Sequence, residues 1–438
     1  MKDARLVVTL HNNTTELPNV TPCQHNCLYD LQNSNQQLVT KTNLCNNSNP
    51  NMKNNEAFAN HNFINEKKNT KEDEVLSLEN YTLAKRIAQQ GDFSAIRNEL
   101  LNRNLLESVT IATYRKYEND LSKIDFLTEI DLEIFAIIDL YDEELALHSL
   151  ETYNIAKEKT ERELAFGVVL ANLFTREGVT PAQFFRACLL HDIGKVEIPN
   201  FVINNSINHE EMNLFLHELV INNKDDFVLS KLEKHTGEDI SIDEIADLEE
   251  LLRKYNLRSV HFVPVKHILP NEEQRLLLDR GFDLESSLMD IIKMHESLSE
   301  KILSELDFSV ESNLAGSHHN YHGNGSPYEL TLDQFQISVD MVEIIRIADM
   351  IEALTSSRSY NKKGFSRPKA LRIVLEEVRT AKINEQVAYI WIDDEIRILE
   401  QDKNSLSIED LRDINVIKRE LEIIRNNIAE NSFILQVA

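Results

Sequence analysis

The stretch Cys188-Leu189-Leu190-His191-Asp192-Ile193-Gly194-Lys195 constrains the fold most. It reads as the end of an apolar helix, a His-Asp pair and a Gly-Lys turn. Upstream, Thr180 is a suitable cap, Pro181 suits the first helical position and Gln183 completes a capping box. Phe184, Phe185, Ala187, Cys188 and Leu190 make this helix apolar enough to be buried. A buried helix ending in an imidazole and a carboxylate must offset the desolvation of both. A bound metal does so, since neutral His and ionised Asp are a common ligand pair. One His-Asp pair is more often a cap or a satisfied core pair, so what the other helices carry decides between the two readings.

Composition narrows the class. The chain has 438 residues with only 10 Gly and 9 Pro, which suits long helices better than a many-turned β protein. Its formal net charge is −27, from 73 acidic against 46 basic side chains, which argues against a nucleic-acid polymer as partner. A small anionic ligand at a local basic or metal site remains compatible with that charge. Cys23, Cys27 and Cys45 lie in a polar tail and Cys188 in an apolar helix, which is no disulfide framework. With no membrane-length apolar run and no signal-peptide core after Met1, the expectation is a cytoplasmic protein.

Residues 1–72 are rich in Asn, Ser, Thr, Gln and Lys without apolar period, and read as a disordered tail. Residues 73–131 read as a helical N-terminal segment. A single long helix is expected from Leu132 to Ala156, a buried helix over 161–176, and an amphipathic helix from Leu288 to Leu306. Val260-His261-Phe262-Val263-Pro264-Val265 suits a short strand. Further helices are expected from Val342 to about Ser356, from Pro368 to Val378, and after the Ser407-x-x-Asp410 cap. The predicted fold is all-α, a mostly helical bundle with room for minor strands.

Several of these helices carry metal-ligand types. Glu144 and His148 are one turn apart on one helix face. His295 lies in the 288–306 segment, His318 and His319 border a Gly-rich turn, and Asp349 sits within the apolar run Ile344 to Ile351. Each has a bland reading: a surface Glu144–His148 pair, a half-buried His295, a surface turn at His318-His319, an Asp349 paired with Arg346. All holding together is improbable, and one shared internal site accounts for them at once.

In their order, His148, His191-Asp192-Ile193-Gly194-Lys195, His295, His318-His319 and Asp349 resemble the HD superfamily of metal-dependent phosphohydrolases. The branch is similar to HD-GYP proteins, the bacterial cyclic di-GMP phosphodiesterases. The run His318 to Pro327 resembles that branch's long motif with one residue deleted, and Ala353-Leu354-Thr355-Ser356-Ser357-Arg358-Ser359-Tyr360 resembles its helix-ending turn. The resemblance covers about residues 132–385, leaving a C-terminal helical segment at 386–438. It departs at Asn320, His322 and Ser326, which replace the motif Glu, Asp and Tyr, and at an insertion within about 205–275.

The resemblance implies two or three divalent metals, Fe or Mn first, with Zn, Ni or Co as alternatives. Asp192 would bridge two of them. His148, His191 and Asp349 would serve one metal, and His295, His318 and His319 the other. Glu144 would be the extra ligand of a trinuclear variant. Lys195 and Arg358 would hold phosphate oxygens, with Lys362 as a further cation. The implied activity is hydrolysis of cyclic di-GMP by a metal-activated hydroxide. The departures keep three rivals open: a phosphohydrolase for another nucleotide or phosphomonoester, a degenerate cyclic-dinucleotide binder, and oxidation at a di-iron site. The N-terminal region is where a homodimer or a signalling partner would attach.

Overall fold

The computed structural model describes residues 76–162, 178–205, 207, 209–223, 225–237, 248–255, 257–319, 339–357, 364–380, 383 and 385–437. The Asn-rich tail, most of the helix expected over 161–176, the 320–327 run, Arg358 and Lys362 lie outside the described residues. All described residues fall in the contact unit Asn60–Ala438.

The chain is all-α, as its composition and periodicity lead one to expect. Helices α1 (Leu78–Gln90), α2 (Phe93–Asn102) and α3 (Leu106–Lys116) lead into α4 (Glu129–Tyr141) and α5 (Glu143–Arg162). Then come α6 (Pro181–Leu190) and a 3-10 turn at Ile193–Glu197. A run of shorter helices follows: α7 (His209–His217), α8 (Asp226–Thr236), α9 (Leu248–Lys254), α10 (Asn271–Asp279) and α11 (Leu288–Lys293). The chain continues through α12 (His295–Glu305), α13 (Ser309–Ala315), α14 (Val339–Thr355), α15 (Arg367–Arg379), α16 (Glu385–Gln401) and α17 (Ile408–Val437). No helix of the described residues is long and apolar enough to cross a membrane.

Local chemistry sets these boundaries. The predicted Thr180–Gln183 capping box forms at the start of α6, with Pro181 in the first turn. At Asp142 the helix expected from Leu132 to Ala156 breaks. Asp142 is extended (φ −152°, ψ 117°), and its carboxylate accepts the backbone N–H groups of Glu144 and Leu145 to start α5. A short Asp side chain that competes for backbone N–H groups turns one apolar run into two helices. The Leu288–Leu306 helix is likewise two. A Ser287–Asp290 capping box starts α11, the ladder tightens at Met294, and α12 restarts at His295. The strand expected at Val260–Val265 does not form. Two 3-10 turns, Ser259–His261 and Val265–His267, flank Pro264, which makes a lone antiparallel bridge to Ser287. Proline has no N–H to extend a ladder, so pairing stops after Val265 and Lys266 donate to the carbonyls of Ser286 and Leu284.

Two apolar cores result. The larger gathers α1–α6 with α12–α17, including Phe135, Phe184, Leu190, Ile345 and Trp391. Residues from α1–α3 and from α16–α17 therefore contribute to the same core as α4–α6 and α12–α15. The smaller core runs from Ile198 to Ile291 and is filled by residues such as Leu216, Val228, Phe262 and Leu277. Helix α6 packs on α5 and α13, α14 packs on α5, and the Ile193–Glu197 turn packs on α12. A buried brace locks this arrangement: Arg186 of α6 donates to Asp131 of α4 and to Glu311 of α13, both at 2.8 Å.

Phe184 is fully buried in this core. Phe184→Ala is expected to lower stability by roughly 3–5 kcal/mol, through lost transfer energy and the cavity left behind. Leu278→Ala, at an exposed position, is expected to stay within about 0.5 kcal/mol. Denaturant midpoints of the two variants, compared with the parent, test this.

Candidate metal centre

Four helical elements converge at the end of α6. His191 caps that helix and Asp192 follows it into the 3-10 turn. His148 comes from the second turn of α5, His295 opens α12, and Asp349 lies in α14. His318 and His319 follow α13. His148, His191, Asp192, His295, His318 and Asp349 are all buried, while the His319 side chain is 38% exposed. His319 is thus the member that meets solvent.

The ring nitrogens and carboxylate oxygens face one another. One oxygen of Asp192, Oδ2, lies 3.1 Å from His148 Nε2 and 3.5 Å from His191 Nε2. The other, Oδ1, lies 3.2 Å from His295 Nε2 and 3.7 Å from His318 Nε2. Asp349 Oδ1 is 3.0 Å from His148 Nε2 and 3.9 Å from His191 Nε2, and its Oδ2 is 3.9 Å from His319 Nε2. Three ligand triads are close enough to hold an ion: His148, His191 and Asp349; His191, Asp192 and His318; and His295, His318 and His319.

The far side of each ring fixes what the near side offers. Nδ1 of His191, His295 and His318 lies 2.9, 2.6 and 2.6 Å from the carbonyls of Cys188, Ile292 and Ala315, each three residues earlier. Only an N–H can pair with a carbonyl, so each Nε2 is left with its lone pair. His295 Nε2 and His318 Nε2 then stand 3.2 Å apart with both lone pairs turned inward. That is repulsive without a shared proton or cation. His191 Nε2 and Asp192 Oδ1 are buried without a hydrogen-bond donor, and such groups cost stability unless a cation satisfies them. The donor set therefore fits divalent metal, with imidazoles and carboxylates suited to Fe, Mn or Zn.

The electrostatics agree. Burial pushes His295 down to about 3, and it also lowers His318 and His319. Burial acts to raise Asp192, but Lys195 and the surrounding imidazoles hold it well below the usual carboxylate range. Burial acts to raise Asp349, but its bond to His148, 3.0 Å away, holds it well below the usual carboxylate range. His148 differs. Burial lowers it, but bonds to Asp192, Asp349 and Glu352 prevail and lift it to about 10.

Most of the ligands expected from sequence thus come together: His148, His191, Asp192, His295, His318, His319 and Asp349. Lys195 reaches the edge of the group and contacts Asp192 Oδ2. Glu144 does not join them. It is exposed in the first turn of α5, because the break at Asp142 starts the helix there and leaves the Glu144 side chain at the surface. Arg358, Lys362 and His322 lie outside the described residues.

Sequence reasoning missed the supporting residues. Glu352 contacts His148 Nδ1. Glu296 Oε1 accepts the His319 backbone N–H at 2.8 Å, and Arg346 Nε donates to the His318 carbonyl at 2.8 Å. The available signals were Glu352 one turn after Asp349 in an apolar helix, and Glu296 directly after His295. Gly194 matters through close approach: its N–H donates to Ser299 Oγ at 2.8 Å, and a Cβ there would stand 2.1 Å from the His295 carbonyl oxygen.

An all-helical fold whose buried helices aim His and Asp side chains at one point defines a candidate metal centre. Over 107 residues the chain is 31% identical to the 3'3'-cGAMP-specific phosphodiesterase 3 of Vibrio cholerae serotype O1 (strain ATCC 39315 / El Tor Inaba N16961). The match takes in 24% of this chain and 22% of that protein, so the chain spans about a fifth of the length of the curated relative it matches. No family model matches the chain, and no solved structure matches it.

Two outcomes are expected. Gly194→Ala should force the 3-10 turn away from α12 at a cost of about 1–3 kcal/mol, with reduced metal content in the purified variant by elemental analysis. Metal loading at pH 7 should displace the proton that His148 holds in the metal-free protein, releasing about one proton per chain. A raised folded pKa means the proton is bound below about 10 and competes there. Affinity should therefore rise with pH, by up to about tenfold per unit between pH 6 and 9. An indicator dye in weak buffer measures the release.

Proposed function

We propose that this protein is a metal-dependent phosphodiesterase that hydrolyses a cyclic dinucleotide, with cyclic di-GMP as the first candidate and 3'3'-cGAMP as the second. The observation that carries the reading is the two-sided placement of Asp192, with one oxygen among His148 and His191 and the other between His295 and His318. A carboxylate so placed would serve two cation positions at once. The second candidate rests on the partial match to a relative named for cGAMP.

His148, His191 and Asp349 would hold one cation and His295, His318 and His319 the other, with Asp192 between them. Two divalent cations so held supply a hydroxide near neutral pH and polarise phosphoryl oxygens. The chain's own residues supply the rest. The carbonyl-backed imidazoles keep their Nε2 lone pairs aimed inward without further rearrangement. Half-exposed His319 marks the side from which a phosphodiester enters. Lys195, largely buried beside Asp192, is placed to neutralise a phosphate oxygen as charge builds in the transition state. In a chain of net charge −27, an anionic substrate needs such a local cationic field. Arg358 would grip a second phosphate oxygen in a fork.

The test is to load the purified chain anaerobically with Fe(II) or Mn(II) and to supply cyclic di-GMP and 3'3'-cGAMP separately. Linear dinucleotides and mononucleotides are followed by chromatography. The expected result is turnover of at least one of them, lost by about 10³-fold or more in Asp192→Ala. A metal-loaded protein that leaves both intact would refute the cyclic-dinucleotide assignment and direct attention to other phosphoesters.

A further inference from the structure

The two halves of the centre are not built alike. His191, His295 and His318 each rest Nδ1 on the backbone carbonyl three residues earlier. His148 instead rests Nδ1 on a carboxylate, that of Glu352. Asp349 and Glu352 are three apart on α14, so one turn of that helix holds both edges of the His148 ring: Asp349 at Nε2, 3.0 Å away, and Glu352 at Nδ1. All three groups are buried.

A carboxylate behind an imidazole does more than a carbonyl. It fixes the tautomer as a carbonyl does, and it also adds negative charge that makes Nε2 a stronger donor to a cation. The His148 half therefore has two carboxylates of its own, Asp349 and Glu352, besides its share of Asp192, whose Oδ2 also pairs with Lys195 and whose Oδ1 faces the other half. In the other half, His295, His318 and His319 are backed by carbonyls or reach solvent, and Arg346 brings a cation to the His318 carbonyl. The carboxylate of that half, Glu296, is engaged by the His319 backbone N–H and not by a ring. Exposure sets apart one member of that half: His295 and His318 are as buried as His148, but the His319 side chain is 38% exposed.

We infer that the centre loads its metals unequally. The His148–His191–Asp349 position binds first and holds its ion tightly, the His295–His318–His319 position is the weaker and exchangeable one, and Glu352 is the positioning residue that sets the difference. This rests on the proposed metal-binding reading of the site and concerns its order of assembly. It assigns Glu352 no contact with substrate. The weaker position lies on the solvent side, so that is where the second ion enters and leaves.

The experiment uses the full chain, stripped with a chelator and titrated anaerobically with Co(II), read by electronic absorption and calorimetry. The parent should take up two equivalents in separate steps, the second weaker by about tenfold or more. Glu352→Gln keeps an acceptor for the His148 N–H but removes the charge. It should weaken the tighter step by about 10–100-fold and leave the weaker step in place, with Glu352→Ala weakening it further. His319→Ala, at a half-exposed position, should abolish only the weaker step. Circular dichroism establishes that each variant is folded. If the Glu352 variants do not fold, the parent and His319→Ala titrations still decide the order. Two equal steps in the parent, loss of the tighter step in His319→Ala, or a Glu352→Gln effect confined to the weaker step would each overturn the inference. No uptake of Co(II) by the folded parent would instead refute the metal reading beneath it.

Discussion

The buried carboxylate of Asp192 governs the rest of the structure. It lies 1% exposed at the end of an apolar helix, and transferring such a charge from water costs several kcal/mol even after relaxation, roughly as for any buried ion. Nothing within α6 can meet that cost. The compensation comes from elsewhere: His148 from α5, His295 from α12, His318 after α13, and Lys195 from the following turn. The helices are held in register because their polar residues must reach one point, and the apolar core then packs around that requirement. The Arg186 brace to Asp131 and Glu311 shows the same logic a few residues away, where a second set of buried charges ties α6 to α4 and α13.

Bringing α12 close enough to α6 places its own demands on the chain. The carbonyl of His295 sits where a side chain on residue 194 would project, so the turn after Asp192 needs glycine, and Ser299 takes up the N–H that this contact exposes. The interruption at Met294 belongs to the same set of constraints. Restarting the helix at His295 lets its Nδ1 rest on the Ile292 carbonyl and turns Nε2 toward Asp192. A helix that ran unbroken from Leu288 to Leu306 would have kept the Ile292 carbonyl in its own ladder.

Much of this was legible in the sequence. The capping box of α6 and the all-helical class follow from spacing and apolar context, and the residues His148, His191, Asp192, His295, His318, His319 and Asp349, picked out by context and family resemblance, are ones the fold brings together. What was not legible depends on breaks and on partners distant in sequence. Asp142 reads as one more polar residue in a helical run, yet it ends one helix, caps the next and leaves Glu144 at the surface. Pro264 sits within a β-rich hexapeptide, but its missing N–H and the turn hydrogen bonds of His261, Phe262 and Val263 leave only an isolated bridge to Ser287. Glu352 looks like a polar interruption of α14, since its role depends on a histidine 204 positions earlier.

The division between a closed and an open half has a physical consequence for an acidic protein. A chain of net charge −27 repels an incoming nucleotide from most of its surface. Under the proposed function, a cation at the His295–His318–His319 position would join Lys195 in attracting a phosphodiester. A cation at the His148–His191–Asp349 position, faced by Asp192 and Asp349 with Glu352 behind His148, would be largely neutralised and would serve to hold the frame. Equal halves would have to compromise between those tasks. Backing one imidazole with a carboxylate and three with carbonyls would let one buried site do both, and the asymmetry is written into a one-turn spacing on a single helix, Asp349 followed three residues later by Glu352.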